Sequence, residues 1–152
     1  MPNTYSQLYI QIVFAVKGRH NLIKESFREE LQKYISGIIL EKQQKLLAIY
    51  CMPDHTHILV SIKPDLNISD LVRDIKSNSS LFIKQKDFCK SFSWQHGFGA
   101  FSYSKSQYLN VVNYILNQPV HHKTKSFREE YLDFLTKFEI QYDEKYVFEF
   151  YD

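Results

Sequence analysis

Only two cysteines, Cys51 and Cys89, occur in the 152 residues. They are too few for a disulfide framework and lack metal-ligand spacing, so a reducing cytoplasm is the expected setting. Four glycines and four prolines leave little room for flexible linkers or a glycine-rich phosphate loop. No apolar run approaches the roughly 18 residues of a membrane-spanning helix. The segment from Met1 to Val16 alternates polar and apolar residues, with neither a basic leader nor a small-residue cleavage site. A large net charge is missing too: 19 Lys plus Arg face 17 Asp plus Glu, for a formal +2. Aromatic residues are plentiful instead, with 12 Phe, 11 Tyr and one Trp making 16% of the chain. Hydrophobic residues at 44% and charged ones at 24% exclude a disordered chain, and the length suits one domain over 1–152.

The small net charge is a cancellation. Residues 126–152 hold 3 Lys plus Arg against 8 Asp plus Glu, net −5, which leaves +7 on residues 1–125. The body is basic, as a nucleic-acid partner would favour, and 125–152 reads as an acidic helical tail.

Residues 6–16 alternate as a strand, with Leu8, Ile10, Ile12, Phe14 and Val16 on one face. A loop at 17–21 leads to Ser26-Phe27-Arg28-Glu29, whose capping-box spacing predicts a helix with Ser26 as N-cap, running to about Lys42. Leu46 to Met52 and His55 to Lys63 read as strands separated by Pro53-Asp54. Asn67 or Ser69 caps a helix carrying Ile68, Leu71, Val72, Ile75, Phe82 and Ile83. Phe92 to Tyr103 is β-like, interrupted at Gly97 and Gly99. A helix from Ser106 carries Val111, Val112, Ile115 and Leu116. The order β-α-β-β-α-β-α predicts an α+β, ferredoxin-like split βαβ antiparallel sheet with an added C-terminal helix and a tail helix. Ser126 to Glu130 repeats the pentapeptide at 26–30, but the flanking residues differ, so two helices sharing one capping box is the better reading than a duplication.

Two groups of residues carry chemistry. His55 and His57 are two apart on a strand, so both imidazoles point the same way and can chelate one metal. Thr56 points oppositely, with Ile58 and Val60. Alone the pair is a weak signal, since two partly exposed strand histidines without a ligand have the same pattern. Tyr114 and Gln118 are four apart on the predicted helix and share a face. In a chain with 11 tyrosines, any single one can equally be a packed aromatic.

Together these residues belong to a longer pattern. Cys51-Met52-Pro53-Asp54-His55-Thr56-His57-Ile58-Leu59-Val60 resembles the Met-Pro-Asp-His-hydrophobic-His segment of the single-tyrosine HUH transposases. That family includes the small single-strand-DNA insertion-sequence transposases and the REP-associated tyrosine transposases. Leu71 to Lys76 with Ser79-Ser80 resembles its second helix, and Trp94-Gln95 with Gly97 to Ser102 its last strand. Asn113 to His122 resembles its nucleophile helix, and Ser126 to Tyr146 its tails. The likeness spans nearly the whole chain in order and spacing. One departure is Thr56, where the family has a bulky hydrophobic. Its methyl can pack, which predicts a small cost in stability rather than lost chemistry.

The resemblance implies that His55, His57 and Gln118 bind a divalent metal, Mg²⁺ or Mn²⁺, and that Tyr114 is the nucleophile. It further implies single-stranded DNA with hairpin ends as substrate, a 5′-phosphotyrosine link with a free 3′-OH, and a homodimer. Whether Tyr114 serves its own histidine pair or the partner's stays open, and no general base is identified. Asp54 either orients a histidine or forms the turn before the strand. Arg19, Arg73, Lys76, Lys84 and Lys123 are candidates for phosphate contact, though solvated lysines on helix faces look the same. His121-His122 reads either as a phosphate or metal contact or as a polar helix end. Two other function classes remain: a domesticated hairpin-binding protein without catalysis, and a ferredoxin-like RNA-binding or regulatory module using aromatics on an open sheet face.

Overall fold

A computed structural model describes residues 3–18 and 21–151. The alternating segments become β1 (Tyr9–Ala15), β2 (Lys45–Cys51), β3 (His55–Ser61) and β4 (Gly99–Tyr103). The helices are α1 (Glu25–Glu41), α2 (Ile68–Gln85), α3 (Lys105–Leu116), the single turn α4 (Gln118–His121) and α5 (Phe127–Lys137). The strands form one antiparallel sheet in the order β2-β3-β1-β4, the ferredoxin-like arrangement that the element order predicts. No helix of the described residues is long and apolar enough to cross a membrane.

Strand β3 is interior and is paired on both sides: His57 lies opposite Val13 of β1 and Tyr50 of β2. Its odd-numbered and even-numbered side chains therefore meet different layers. Thr56, Ile58 and Val60 join Ile12 and Phe14 of β1 beneath Leu31, Ile35 and Ile39 of α1 and Leu71, Val72 and Ile75 of α2. On the other face Leu59 packs with Ala48, Val111 and Ile115, which docks α3 on the sheet. Helix α5 lies on this second face as well, with Phe134 stacked on Phe101 of β4 at 5.2 Å between ring centroids. Among the described residues both faces of the sheet carry helices, and the acidic tail is not an appendage. Phe127, Tyr131, Leu135 and Phe148 are all buried in the main core cluster.

Four local expectations change. Helix α1 starts one residue before Ser26, with Lys24 at the N-cap and no side-chain cap bond, so the first Ser-Phe-Arg-Glu lies inside the helix. The second copy does cap: Ser126 accepts from the Glu129 backbone N–H at 3.2 Å. The β-like stretch 92–103 shortens to β4 and a single bridge between Trp94 and Val16. Gly97 turns with φ +83, and Gly99 is where Tyr131 crosses the strand, an added Cβ lying 2.6 Å from its hydroxyl oxygen. Lastly, α3 ends at Leu116, and Gln118 opens α4. Pro119 has no N–H to continue the helical ladder, so the chain breaks at Asn117 and restarts with the proline in its first turn. Helix α3 itself begins with a capping box that the sequence reading passed over, Ser104 with Gln107.

Candidate metal and nucleophile site

The two histidines on β3 are fully buried, at 0% exposure, rather than solvent-facing. His55 lies flat on Phe127 of α5, with ring centroids 3.9 Å apart. Tyr114 reaches the same place from α3, Gln118 and the nearby His122 from α4 and its C-cap, and Glu130 from α5. The structure thus brings together Tyr114, His55, His57 and Gln118. It adds Glu130 and His122, and one ligand atom from each of His55, His57, His122 and Glu130 lies within 4.8 Å of the others.

Glu130 is the hub. One carboxylate oxygen lies 2.9 Å from His57 Nε2, 3.2 Å from His122 Nε2 and 3.5 Å from His55 Nε2. The other accepts the Tyr114 hydroxyl and, at 2.9 Å, the Gln118 side-chain N–H. An ionised carboxylate only accepts, so Gln118 must turn its nitrogen to Glu130 and its oxygen away. That oxygen faces His55 Nε2 at 3.2 Å and His122 Nε2 at 2.8 Å.

Asp54 decides what His55 presents. Its carboxylate lies 2.7 Å from His55 Nδ1, so Nδ1 carries a proton, and a ring with no second proton directs a lone pair from Nε2. Gln118 Oε1 and His55 Nε2 then confront each other lone pair to lone pair, an arrangement that asks for a proton or a metal ion between them. The donor set of imidazole nitrogens, an amide oxygen and a carboxylate suits a divalent first-row ion, and the residues present fit such a group. His57 is steadied from behind by Gln11, whose side-chain nitrogen is 2.9 Å from His57 Nδ1 and whose oxygen accepts the Tyr103 hydroxyl at 2.9 Å. With the amide set this way His57 keeps its proton on Nε2. Turned over, with the Tyr103 hydroxyl reversed, Gln11 accepts from Nδ1–H and frees Nε2 for a metal.

The electrostatics follow from burial and from this hub. Burial opposes the Glu130 charge, but the imidazoles of His57, His122 and His55 outweigh it and hold the carboxyl well below its ordinary range. Burial lowers His57, partly offset by Glu130. For His122 burial acts the same way, but the Glu130 carboxylate prevails and raises it. Tyr114 is pushed far above the usual phenol value, first by burial and then by the negative charge and hydrogen bond of Glu130. Its ring also stacks on His121, with centroids 4.4 Å apart.

Lys76 donates to the carbonyls of Gln95 and Gly97 at 2.8 and 2.6 Å, fastening the segment before β4 to α2. Burial lowers its amine to about 8. Arg73 is exposed but bonded to Asp70 and Asp74. Lys84 and Lys123 are exposed, and Arg19 lies outside the described residues. Glu130 is the residue the sequence reading missed. Its signal was present: Phe127, Tyr131, Phe134 and Leu135 form an apolar stripe at helical spacing, and Glu130 interrupts it.

An α+β sheet with paired histidines on an inner strand, facing a tyrosine on a covering helix, is the architecture of a single-tyrosine HUH protein. A family model described as "Transposase IS200 like" matches residues 4–118. The chain belongs to that transposase family. It is 28% identical over 74 residues to the ISDra2 transposase TnpA of Deinococcus radiodurans, covering 49% of this chain and 53% of the relative. It thus spans about half the length of that curated relative. The fold is shared with the crystal structure of a candidate transposase from Deinococcus radiodurans R1, at TM-score 0.58 and 23% identity over 76% of this chain and 94% of that one. It is also shared with a REP-associated tyrosine transposase bound to a REP hairpin, at TM-score 0.61 and 20% identity over 79% of this chain and 72% of that one. Helix α5, which carries Glu130, lies beyond the matched segment.

Proposed function

We propose that this protein nicks and rejoins single-stranded DNA at a hairpin-bearing end, with Tyr114 as nucleophile. One observation carries the reading: the Tyr114 hydroxyl, two buried strand imidazoles and the Gln118 amide converge on a single carboxylate, beside donors that suit a divalent ion. His55, His57 and Gln118 hold Mg²⁺ or Mn²⁺, with His122 and Glu130 as further donors within reach. When bound, the ion supplies Lewis-acid charge that draws electron density from the scissile phosphate.

The remaining work falls to the chain. Glu130 fixes the Tyr114 hydroxyl and stands where its proton leaves. Burial keeps the phenol protonated until attack, so a stray phenolate does not accumulate. Attack forms the tyrosine O–P bond and breaks the P–O3′ bond, releasing a 3′-OH and keeping the bond energy for rejoining. Asp54 holds His55 with Nε2 turned inward, and Gln11, with its amide turned over, does the same for His57. Exposed Arg73, Lys84 and Lys123, with Arg19 and Lys76, are the proposed phosphate contacts on the basic body. Because one chain offers one such tyrosine while two ends must be cut and joined, a homodimer is part of the proposal. Exposed Leu109, Leu116 and Val120 supply apolar surface on the α3–α4 side for it.

The test is incubation with labelled single-stranded hairpin DNA and Mg²⁺ or Mn²⁺, followed by a search for a denaturant-stable protein–DNA adduct. Wild type is expected to form it, and Tyr114→Phe or a chelator to abolish it. Hairpin binding without an adduct at a cognate end would replace this reading with a non-cutting DNA binder. No preference for hairpins would favour the RNA-binding or regulatory class.

A further inference from the structure

A cavity of about 570 Å³ opens between α3 and α5 along the Tyr114 ring, and the proposed chemistry assigns no part of the substrate to it. Its volume lies in the range of about 300–1,000 Å³ typical of pockets for small organic groups. Four charged residues line it, two of each sign, and they compensate one another. Lys125 is paired with Asp133, Glu130 is held by the histidines, and Lys137 adds the second cation. Such a wall offers little to a phosphate and suits the uncharged part of a nucleotide. Phe134 and Tyr103 present aromatic surface, and the Asn110 amide points into the same space from α3 with no hydrogen bond to any described residue.

We propose that this cavity receives the nucleobase immediately 3′ of the nick, the first base of the strand that stays joined to Tyr114. The inference rests on the phosphotyrosine reading. In-line displacement sets the leaving 3′ oxygen across the phosphorus from the tyrosine oxygen, so the departing nucleotide lies away from the phenol ring. The nucleoside that keeps the 5′ phosphate stays beside that ring, where the cavity is. An unpaired base is bound by stacking on an aromatic and by hydrogen bonds along its edge, and an amide can both donate and accept there. The cavity is therefore a specificity subsite: Phe134 and Tyr103 take the face of the base, and Asn110 reads its edge.

The experiment uses the full-length protein with Mn²⁺ and a single-stranded hairpin oligonucleotide on which the adduct forms. The cleaved position is mapped from the length of the released 3′-OH fragment. The oligonucleotide is then remade with A, C, G, T or an abasic residue at the next position. For wild type the abasic substrate should slow adduct formation about tenfold, the expected scale for losing one stacked base. Hairpin binding measured in chelator should stay within about twofold, and the four bases should differ in rate. Asn110→Ala, an exposed substitution that removes no hydrogen bond from the fold, should bring the preferred base down toward the slowest. Asn110→Asp should reorder the bases, because a carboxylate accepts but does not donate. Equal rates for all five substrates would overturn the subsite while leaving the nicking reading intact, and so would Asn110 variants that keep the wild-type spread and order. If no oligonucleotide yields an adduct, the phosphotyrosine reading fails, and this one falls with it.

Discussion

At the scale of single residues the informative positions are polar groups placed where apolar ones are expected. Thr56 is fully buried on the helix-covered face of β3, and its hydroxyl lacks a proper hydrogen-bond partner, with only a weak acceptor in the Cys51 thiol beside it. An unsatisfied buried hydroxyl costs about 1–3 kcal/mol. Thr56→Val should therefore stabilise the protein by about 1 kcal/mol, raising Tm by roughly 2–4 °C. A Tm equal to or below wild type would show that the hydroxyl is satisfied. The same neighbourhood predicts thiol behaviour. Burial pushes Cys51 up to about 12, whereas Cys89 is only half-buried. Native protein at pH 8 should react with one equivalent of a thiol reagent, at Cys89, and with the second only after unfolding. The histidine pair and Tyr114 were legible from strand and helix spacing. Glu130 was not read, because an acidic residue in an acidic tail looks solvated until the stripe around it is counted as a buried face.

At the scale of elements, the two copies of Ser-Phe-Arg-Glu-Glu show how position outranks sequence. In α5 the serine is the N-cap and the fifth residue is buried at the site; in α1 the serine sits within the first turn and Glu30 is exposed. Ser126→Ala should cost about 1 kcal/mol of stability, while Ser26→Ala should be close to neutral. Equal effects in chemical denaturation would mean that the two helices start alike. The strands, α1 and α2 could be read because alternate strand residues meet different layers and each of these helices buries one stripe, which leaves clean period-2 and helical patterns. The end of α3 was less legible. Tyr114 and Gln118 keep their proximity although a helix break separates them, and only Pro119 signalled it. The docking of α5 left no periodic trace of its target, since a stripe states that a face is buried but not against what.

At the scale of the molecule, the charge split between body and tail survives folding as chemistry rather than as geometry. The tail folds into the core, yet it delivers the buried Glu130 carboxylate to the basic part. Its tyrosine also links stability to pH. Burial pushes both Tyr103 and Tyr131 up to about 12, from an ordinary value of 10.0. A phenol whose folded value is raised contributes stability that is complete below pH 10 and lost as pH rises through 12. Denaturation midpoints should therefore fall between about pH 10 and 12, less steeply in Tyr131→Phe, and a flat profile would exclude the linkage.

The inner position of β3 has one more consequence. Its backbone is hydrogen-bonded to a strand on each side from His55 to Ser61, so the histidines can be released only by opening the sheet itself. Gln118 and His122, by contrast, hang on a single helical turn between two breaks, and Tyr114 lies two residues before the end of its own helix. Amide hydrogen exchange should report two clocks in one small centre: protection at the global unfolding limit for 55–61, and far faster exchange across 117–126. The histidine half of the centre is then a fixed anvil, and any rearrangement of the site falls to the helical half that carries Tyr114, Gln118 and His122.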